Sequence, residues 1–297
     1  QKTAYEIRPR DWSSDVCSSD LLAKLPRQSH RLHRMARAAS LLVSPARCLL
    51  CALLGAGVGW GPAAWAQEPS LGASECKTPG AWGATAPETL MHRYRVQGRA
   101  SGFTYSAQAQ IGWQGLPQQR YRLDYEVKAL LLPSRSQTSE GLIQGLALHP
   151  VQFTDRGNKT LNTLADPQKQ TVRLPLSEQI QALKPGSQDK LSAWVQLGVW
   201  VACQTTVGSP ERQISMPVWG SGDTETWVWR SNGLVSLNTP YGTRQAVHLT
   251  RPAGLGGDSR IDLWFVPEWG VLPVRIRVEQ NNGDSADQAL VERTPRP

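Results

Sequence analysis

The sequence has no block of about five or more like charges beyond Ala66 and no internal repeat at the roughly 20 to 50 residue period of solenoids. Its apolar run Cys48 to Val58 is only about half of the roughly 18 residues a membrane-spanning helix needs. Past Ala66 it keeps two cysteines, Cys76 and Cys203, so at most one internal disulfide can form there. No strand alternates with a helix along the chain, which argues against a doubly wound α/β fold.

The first 66 residues are set apart from the rest. Residues 1–34 are read as a non-native N-terminal extension. The stretch ending in Asp11-Trp-Ser-Ser-Asp-Val-Cys-Ser-Ser-Asp20 and Leu21 lacks apolar periodicity and resembles translated sequencing-adapter DNA. Residues 35–66 have the form of a secretory signal peptide. Met35 is followed by Arg37 and Arg47, the apolar run, and the small-x-small tripeptide Ala64-Trp65-Ala66 that signal peptidase accepts. Cleavage after Ala66 is expected, giving a periplasmic protein with no stable membrane span. Without these residues the chain has 231 residues, with 23 basic against 20 acidic side chains, so its net charge falls from +8 to +3. The high overall pI therefore gives no reason to expect a nucleic-acid partner. In an oxidising compartment Cys76 and Cys203 either pair or stay as isolated buried thiols.

Residues 67–89 are rich in Pro, Gly, Ala and Ser and read as a flexible lead-in; residues 90–294 read as one β-rich domain. Phe103, Tyr105, Ala107, Ala109, Ile111 and Trp113 alternate with polar residues, as do Tyr121, Leu123, Tyr125, Val127 and Ala129. This period of two marks strands with one buried face. Similar segments are expected at 91–99, 134–143, 146–156, 168–175, 212–218, 224–230, 233–237, 244–251, 259–266, 272–280 and 285–292. Turn residues separate them, with Ser231-Asn232-Gly233 and the hairpin signal Asn282-Gly283 among these.

One helix is expected, from Asp189 to Cys203. Leu191, Trp194, Val195, Gly198, Val201 and Ala202 share a face, and Val199 and Trp200 extend the apolar surface almost all round, so more than one neighbour must cover it. Ser187 or Asp189 can cap its start. The resulting fold class is mainly β, a large curved antiparallel sheet or incomplete barrel wrapping one helix.

The C-terminal run Ile261 to Val266, the turn Pro267 to Gly270, the strand Leu272 to Ile276 and the turn Gln280 to Asp284 resemble the bacterial envelope family known as domain of unknown function 3108. The likeness extends through Gly186 to Ser192 and Ser134 to Gly141, back to about Tyr94. The resemblance implies an exported, β-rich protein with no assigned catalytic residues. The inferred architecture is similar to that of periplasmic lipoprotein-carrier half-barrels.

No reaction centre stands out. Ser187-Gln-Asp-Lys190 matches the S-x-x-K pattern of penicillin-recognising enzymes, but those also need a helical domain and a K-T-G partner, whereas here Lys77-Thr78 runs into Pro79. His92, His149 and His248 lie on separate strands, none beside a second ligand at metal spacing. Asp124, Glu126, Asp262 and Glu268 could serve glycoside hydrolysis only if two of them met across a cleft. Gly220-Ser-Gly222-Asp223 lacks the nucleophile elbow, and the sequon Asn158-Lys-Thr160 is read as accidental. Neither catalytic residues, nor a metal, nor a cofactor are expected.

Tryptophan is abundant, with nine of the twelve lying beyond Ala66. Trp113, Trp194, Trp200, Trp227, Trp229 and Trp264 are the candidates to line an apolar cavity. The leading functional expectation is a non-enzymatic protein that binds or shields a lipid or acylated envelope ligand. The alternative is a cell-wall or polysaccharide module that uses exposed tryptophans.

Overall fold

The computed structural model describes residues 89–129, 134–203, 213–254 and 259–294. The expectations for residues 1–66, for most of the lead-in, and for Cys76 and Trp82 lie outside the described residues. In chain order the first strands are β1 (Thr89–Ala100), β2 (Phe103–Leu116), β3 (Arg120–Ala129), β4 (Arg135–Gln144) and β5 (Ala147–Arg156). Then come β6 (Thr160–Asp166), β7 (Thr171–Leu174), β8 (Gln179–Ala182), β9 (Gln188–Asp189) and the helix α1 (Ser192–Cys203). The remainder is β10 (Gln213–Trp219), β11 (Thr224–Thr239), β12 (Gly242–Arg251), β13 (Arg260–Phe265), β14 (Arg275–Glu279) and β15 (Ser285–Thr294), with a 3-10 turn at Pro267–Trp269.

All fifteen strands belong to one sheet of order β8-β7-β6-β5-β4-β3-β2-β1-β15-β14-β13-β12-β11-β10-β9. Every ladder is antiparallel except the two-residue pairing of β9 with β10. The chain is therefore mainly β, one open and mostly antiparallel sheet with a single α-helix among the described residues. That helix is too short to cross a membrane.

Alternation decides the faces. Tyr94 and Val96, Ala107 to Trp113, Tyr121 to Tyr125, and Leu263 and Phe265 turn inward, and α1 packs on this inner face. Ten of the twelve helix residues are buried, so the sheet surrounds it on nearly every side, as its apolar circumference requires. Lys190, Ser192 and Ala193, which fall off the expected apolar face, are buried as well.

The helix begins three residues later than expected. Asp189 Oδ1 accepts the amides of Leu191 (2.8 Å) and Ser192 (2.7 Å), while Ser192 Oγ accepts the amide of Asp189 (2.9 Å). These reciprocal bonds satisfy the free donors at the helix start. Ser187 is no cap; its hydroxyl donates to Lys184 O. At the other end, buried Cys203 is disulfide-bonded.

Three strand assignments also change. β6 and β8 were unexpected, and the expected segments 224–230 and 233–237 form one long strand, β11. Its register shifts between Ser231 and Leu234, so Ser231-Asn232-Gly233 forms a bulge and not a turn. Ser231 Oγ supports it by accepting the Gly233 amide.

The two ends of the sheet face each other across a seam. Pro217 in β10 has a ladder on one side only, at Thr226 of β11, the position where a missing N–H costs nothing. β9 fills part of the seam, and Gln188 Nε2 donates to Leu148 O of β5 (2.8 Å). Elsewhere isolated bonds cross it: Leu176 N to Ser221 O (2.9 Å), Thr163 Oγ1 to Gly220 O (3.1 Å) and Thr224 Oγ1 to Gln181 Oε1 (2.6 Å).

Gln196 docks the helix on the β4–β5 hairpin. Its amide accepts from Leu148 N (2.8 Å) and donates to Leu146 O (3.1 Å), standing in for a strand partner. Gln196→Leu is expected to destabilise the protein by about 2 kcal/mol, because both backbone groups lose a partner. A chemical denaturation midpoint unchanged from wild type would contradict this role.

Candidate functional site

The inner face between α1 and strands β2, β3, β10 and β11 is walled by aromatic rings. Trp113 stacks on Tyr121 at 5.2 Å, and Tyr125 meets Trp194 edge-on at 5.6 Å. Trp227 and Trp229, two apart on β11, point to the same inner face and meet at 6.1 Å. Phe153 of β5 meets Trp219 at 6.4 Å.

All of these tryptophans are buried, yet the indole N–H groups of Trp194, Trp219, Trp227 and Trp229 have no hydrogen-bond partner. Buried indoles ordinarily find one, because an unpaired donor costs free energy. The wall is apolar in area but carries four donors with nothing to donate to.

Of the six tryptophans expected to line a cavity, Trp113, Trp194, Trp227 and Trp229 are thus brought together on this wall. Trp200 is half-buried on the helix. Trp264 is on the opposite face: alternation along β13 sends Leu263 inward and Trp264 outward, where His248 stacks on it at 4.4 Å and the Arg275 guanidinium lies 5.0 Å from its ring. Its membership of an inner cavity is therefore corrected. Trp219, which was not singled out from the sequence, joins the wall through its contact with Phe153 at the end of β10; it is out of phase with Met216 and Val218, so strand alternation does not point to it.

Below the wall lies a buried polar network at the helix start. Ser139 Oγ donates to Asp189 Oδ2 (2.5 Å) and is bonded to Tyr121 OH (3.0 Å). Burial pushes the Asp189 carboxyl up to about 6, against the bonds from Ser139, Ser192 and Leu191. On β1, His92 turns inward, and its Nδ1–H donates to Pro273 O (3.0 Å), which also accepts from Tyr94 OH (2.7 Å). Burial lowers the His92 imidazole to about 4.

The seam holds a cavity of about 190 Å³ between the β8–β9 link and β10–β11, lined by Lys184, Ser187, Trp219, Thr224, Glu225 and Thr226 among others. A larger depression of about 1230 Å³ along β15, β1, β2 and β3 has a mixed lining, with Arg93, Arg95, Glu126 and Lys128 beside Ala129 and Val291.

The candidate carboxylates do not form a catalytic pair. Asp124 accepts from Arg122 and Thr138, Glu126 from Gln110 and Lys128, and Glu268 is exposed on the 3-10 turn. Burial alone would raise the Asp262 carboxyl, but bonds from His248, Arg260 and Thr250 outweigh it and hold it at about 2. His92, His149 and His248 stand on β1, β5 and β12, and no group of three metal-ligating side chains gathers among the described residues.

Comparison with the curated proteins finds no match. Among solved structures, one described as a "putative lipoprotein from Parabacteroides distasonis ATCC 8503" aligns over 73% of this chain and 97% of its own, at 12% identity and a TM-score of 0.29. That superposition is too loose to transfer any detail. The model of a protein of unknown function, DUF3108, matches residues 93–290, from the second turn of β1 alternation to the inner face of β15. The chain belongs to the DUF3108 family.

Proposed function

We propose that this DUF3108 protein is an exported, non-enzymatic envelope protein that binds or shields an acylated ligand on the inner face of its sheet. The observation that carries this reading is the aromatic wall with four unpartnered indole donors. A ligand with an apolar body and a few ester or amide oxygens complements such a surface, because apolar area supplies affinity and a few placed donors fix orientation. The signal-like segment ending at Ala66 supports a periplasmic location. The alternative, a polysaccharide module, needs an open indole face. Trp200 is half-buried and every other described tryptophan is buried, so that reading has no platform among the described residues.

The test uses a dansyl-labelled fatty acid and organic extraction of the purified mature protein followed by mass spectrometry. Saturable binding, or a co-purifying acylated molecule, is expected. The double variant Trp227→Phe/Trp229→Phe keeps two large rings and removes two donors. It is expected to weaken binding roughly tenfold, the size of one or two hydrogen bonds, while leaving thermal stability nearly unchanged. Absence of both extracted lipid and saturable binding would overturn the proposal.

A further inference from the structure

Each pair of neighbouring strands in the sheet shares a ladder, whereas β8 and the β10–β11 hairpin face each other across the seam and are joined by isolated bonds, such as Leu176 N to Ser221 O and Thr224 Oγ1 to Gln181 Oε1. The closed seam also leaves polar groups unsatisfied. The hydroxyls of Ser177 and Ser221 and the indole N–H of Trp219 are buried without a hydrogen-bond partner. Water entering an opened seam would supply those partners, so part of the cost of opening is returned.

The turn that closes the seam, Gly220 to Asp223, is held by charge. Lys190, at the junction of β9 and α1, is 1% exposed, and Gly220 lies against its stem so closely that an added Cβ would fall 2.4 Å from Cε. Its ammonium stands between Asp223 Oδ1 at 3.9 Å and Glu225 Oε1 at 4.0 Å, too far for hydrogen bonds but close enough for attraction in a buried setting. Arg251 Nη1 lies 4.0 Å from the other Glu225 oxygen, so that carboxylate is shared. Lys190 therefore ties the start of α1 to the near end of β11 by a contact that parts without breaking a directional bond.

Behind the turn lies the seam cavity, whose lining includes Trp219, Thr224 and Glu225; the larger depression has no tryptophan in its lining. Trp219 meets Phe153 and so leads from the cavity to the aromatic wall.

We infer that the β10–β11 turn is a gate over the seam, latched by Lys190 between Asp223 and Glu225, and that the acyl chain of the ligand passes beneath it to the inner wall. This rests on the proposed function above.

The experiment measures stopped-flow association and release of the dansyl-labelled fatty acid. In Gln181→Cys/Thr224→Cys, a short bis-alkylating reagent bridges the seam where the two native side chains meet, while Cys203 is already disulfide-bonded and does not react. The bridge is expected to slow both rates at least about tenfold, because binding that waits on a conformational step is limited by it. The two single-cysteine variants, alkylated in the same way, are expected to keep wild-type rates. Lys190→Met keeps the apolar stem and removes the latch; it is expected to speed association and release by about threefold or more with affinity little changed, since a gate sets rates and not the depth of the bound well. A bridged protein that binds as fast as the unbridged one overturns the gate while leaving the proposed function standing. Lys190→Met with unchanged rates, or with weaker binding and no faster association, overturns the latch. No binding by any form, wild type included, overturns both the inference and the proposed function.

Discussion

Between pH 4 and pH 6.5 the stability of the wild-type protein is expected to change little, and Asp189→Asn and His92→Gln are expected to tilt the profile in opposite directions. The folded-state pKa of Asp189 is raised from 3.8 to about 6, so the stability tied to its protonated form is complete below pH 3.8 and lost as pH rises through 6. His92 is lowered from 6.5 to about 4, so its contribution is complete above pH 6.5 and lost as pH falls through 4. Each shift corresponds to about 3 kcal/mol, and the two slopes oppose over the same interval. Asp262, held at about 2, titrates below it.

In Asp189→Asn the side-chain oxygen still accepts the Leu191 and Ser192 amides, and the amide nitrogen can donate to Ser139 Oγ, which turns its own proton to Tyr121 OH. What remains is the His92 slope, stability rising with pH. In His92→Gln the amide can still donate to Pro273 O, and what remains is stability falling with pH. Urea unfolding at pH 4, 5 and 6.5 separates the cases; parallel profiles for both variants would contradict the assignment. Asp189→Ala, which removes the cap and strands Ser139, is expected to lose about 3 kcal/mol near pH 5.

Gly198→Ala is expected to destabilise the protein by about 3 kcal/mol or more, the reverse of the roughly 1 kcal/mol gain that exposed helix positions give. A Cβ at Gly198 would fall 2.0 Å from the Val271 carbonyl oxygen and 2.7 Å from its Cα, and backbone cannot swing aside as a side-chain tip can. Either α1 withdraws from the loop that follows the 3-10 turn, or that loop shifts with β14. Thermal unfolding measures the loss, and a melting temperature equal to or above wild type would show that α1 is not held against Val271. The same contact explains how the helix fills the sheet at this point.

The long alternating strands β2 and β3 were legible from residues alone, because a one-residue slip would turn Ile111 or Tyr121 to solvent. The helix was legible from its apolar circumference, though its start was not: Asp189 is chemically both a cap and a strand residue, and the packing of Gln188 against β5 decides it. β6 and β8 escaped because TLNTLAD and QIQA offer few buried positions; they are held by ladders to neighbours, which local pattern does not encode. β11 was split because Asn232-Gly233 has the chemistry of a hairpin turn, and only the register with β12 makes it a bulge. Within the candidate site, the shared face of Trp227 and Trp229 was legible from spacing. The outward turn of Trp264 was not, since β13 is buried on both faces and its run of apolar residues hides the phase.

The first and last strands of the described chain, β1 and β15, pair in the middle of the sheet, with Met91 opposite Thr294, while the seam falls between β8 and β9 in mid-sequence. The molecule is therefore two meanders, each built from local hairpins, fastened by one ladder between residues nearly two hundred positions apart. Closing that ladder carries the largest loop entropy in the fold and is the slow step that topology imposes. The link at 183–187 carries no ladder, so a chain opened there and joined from Thr294 back to Thr89 would keep every strand pairing while making the most distant one local.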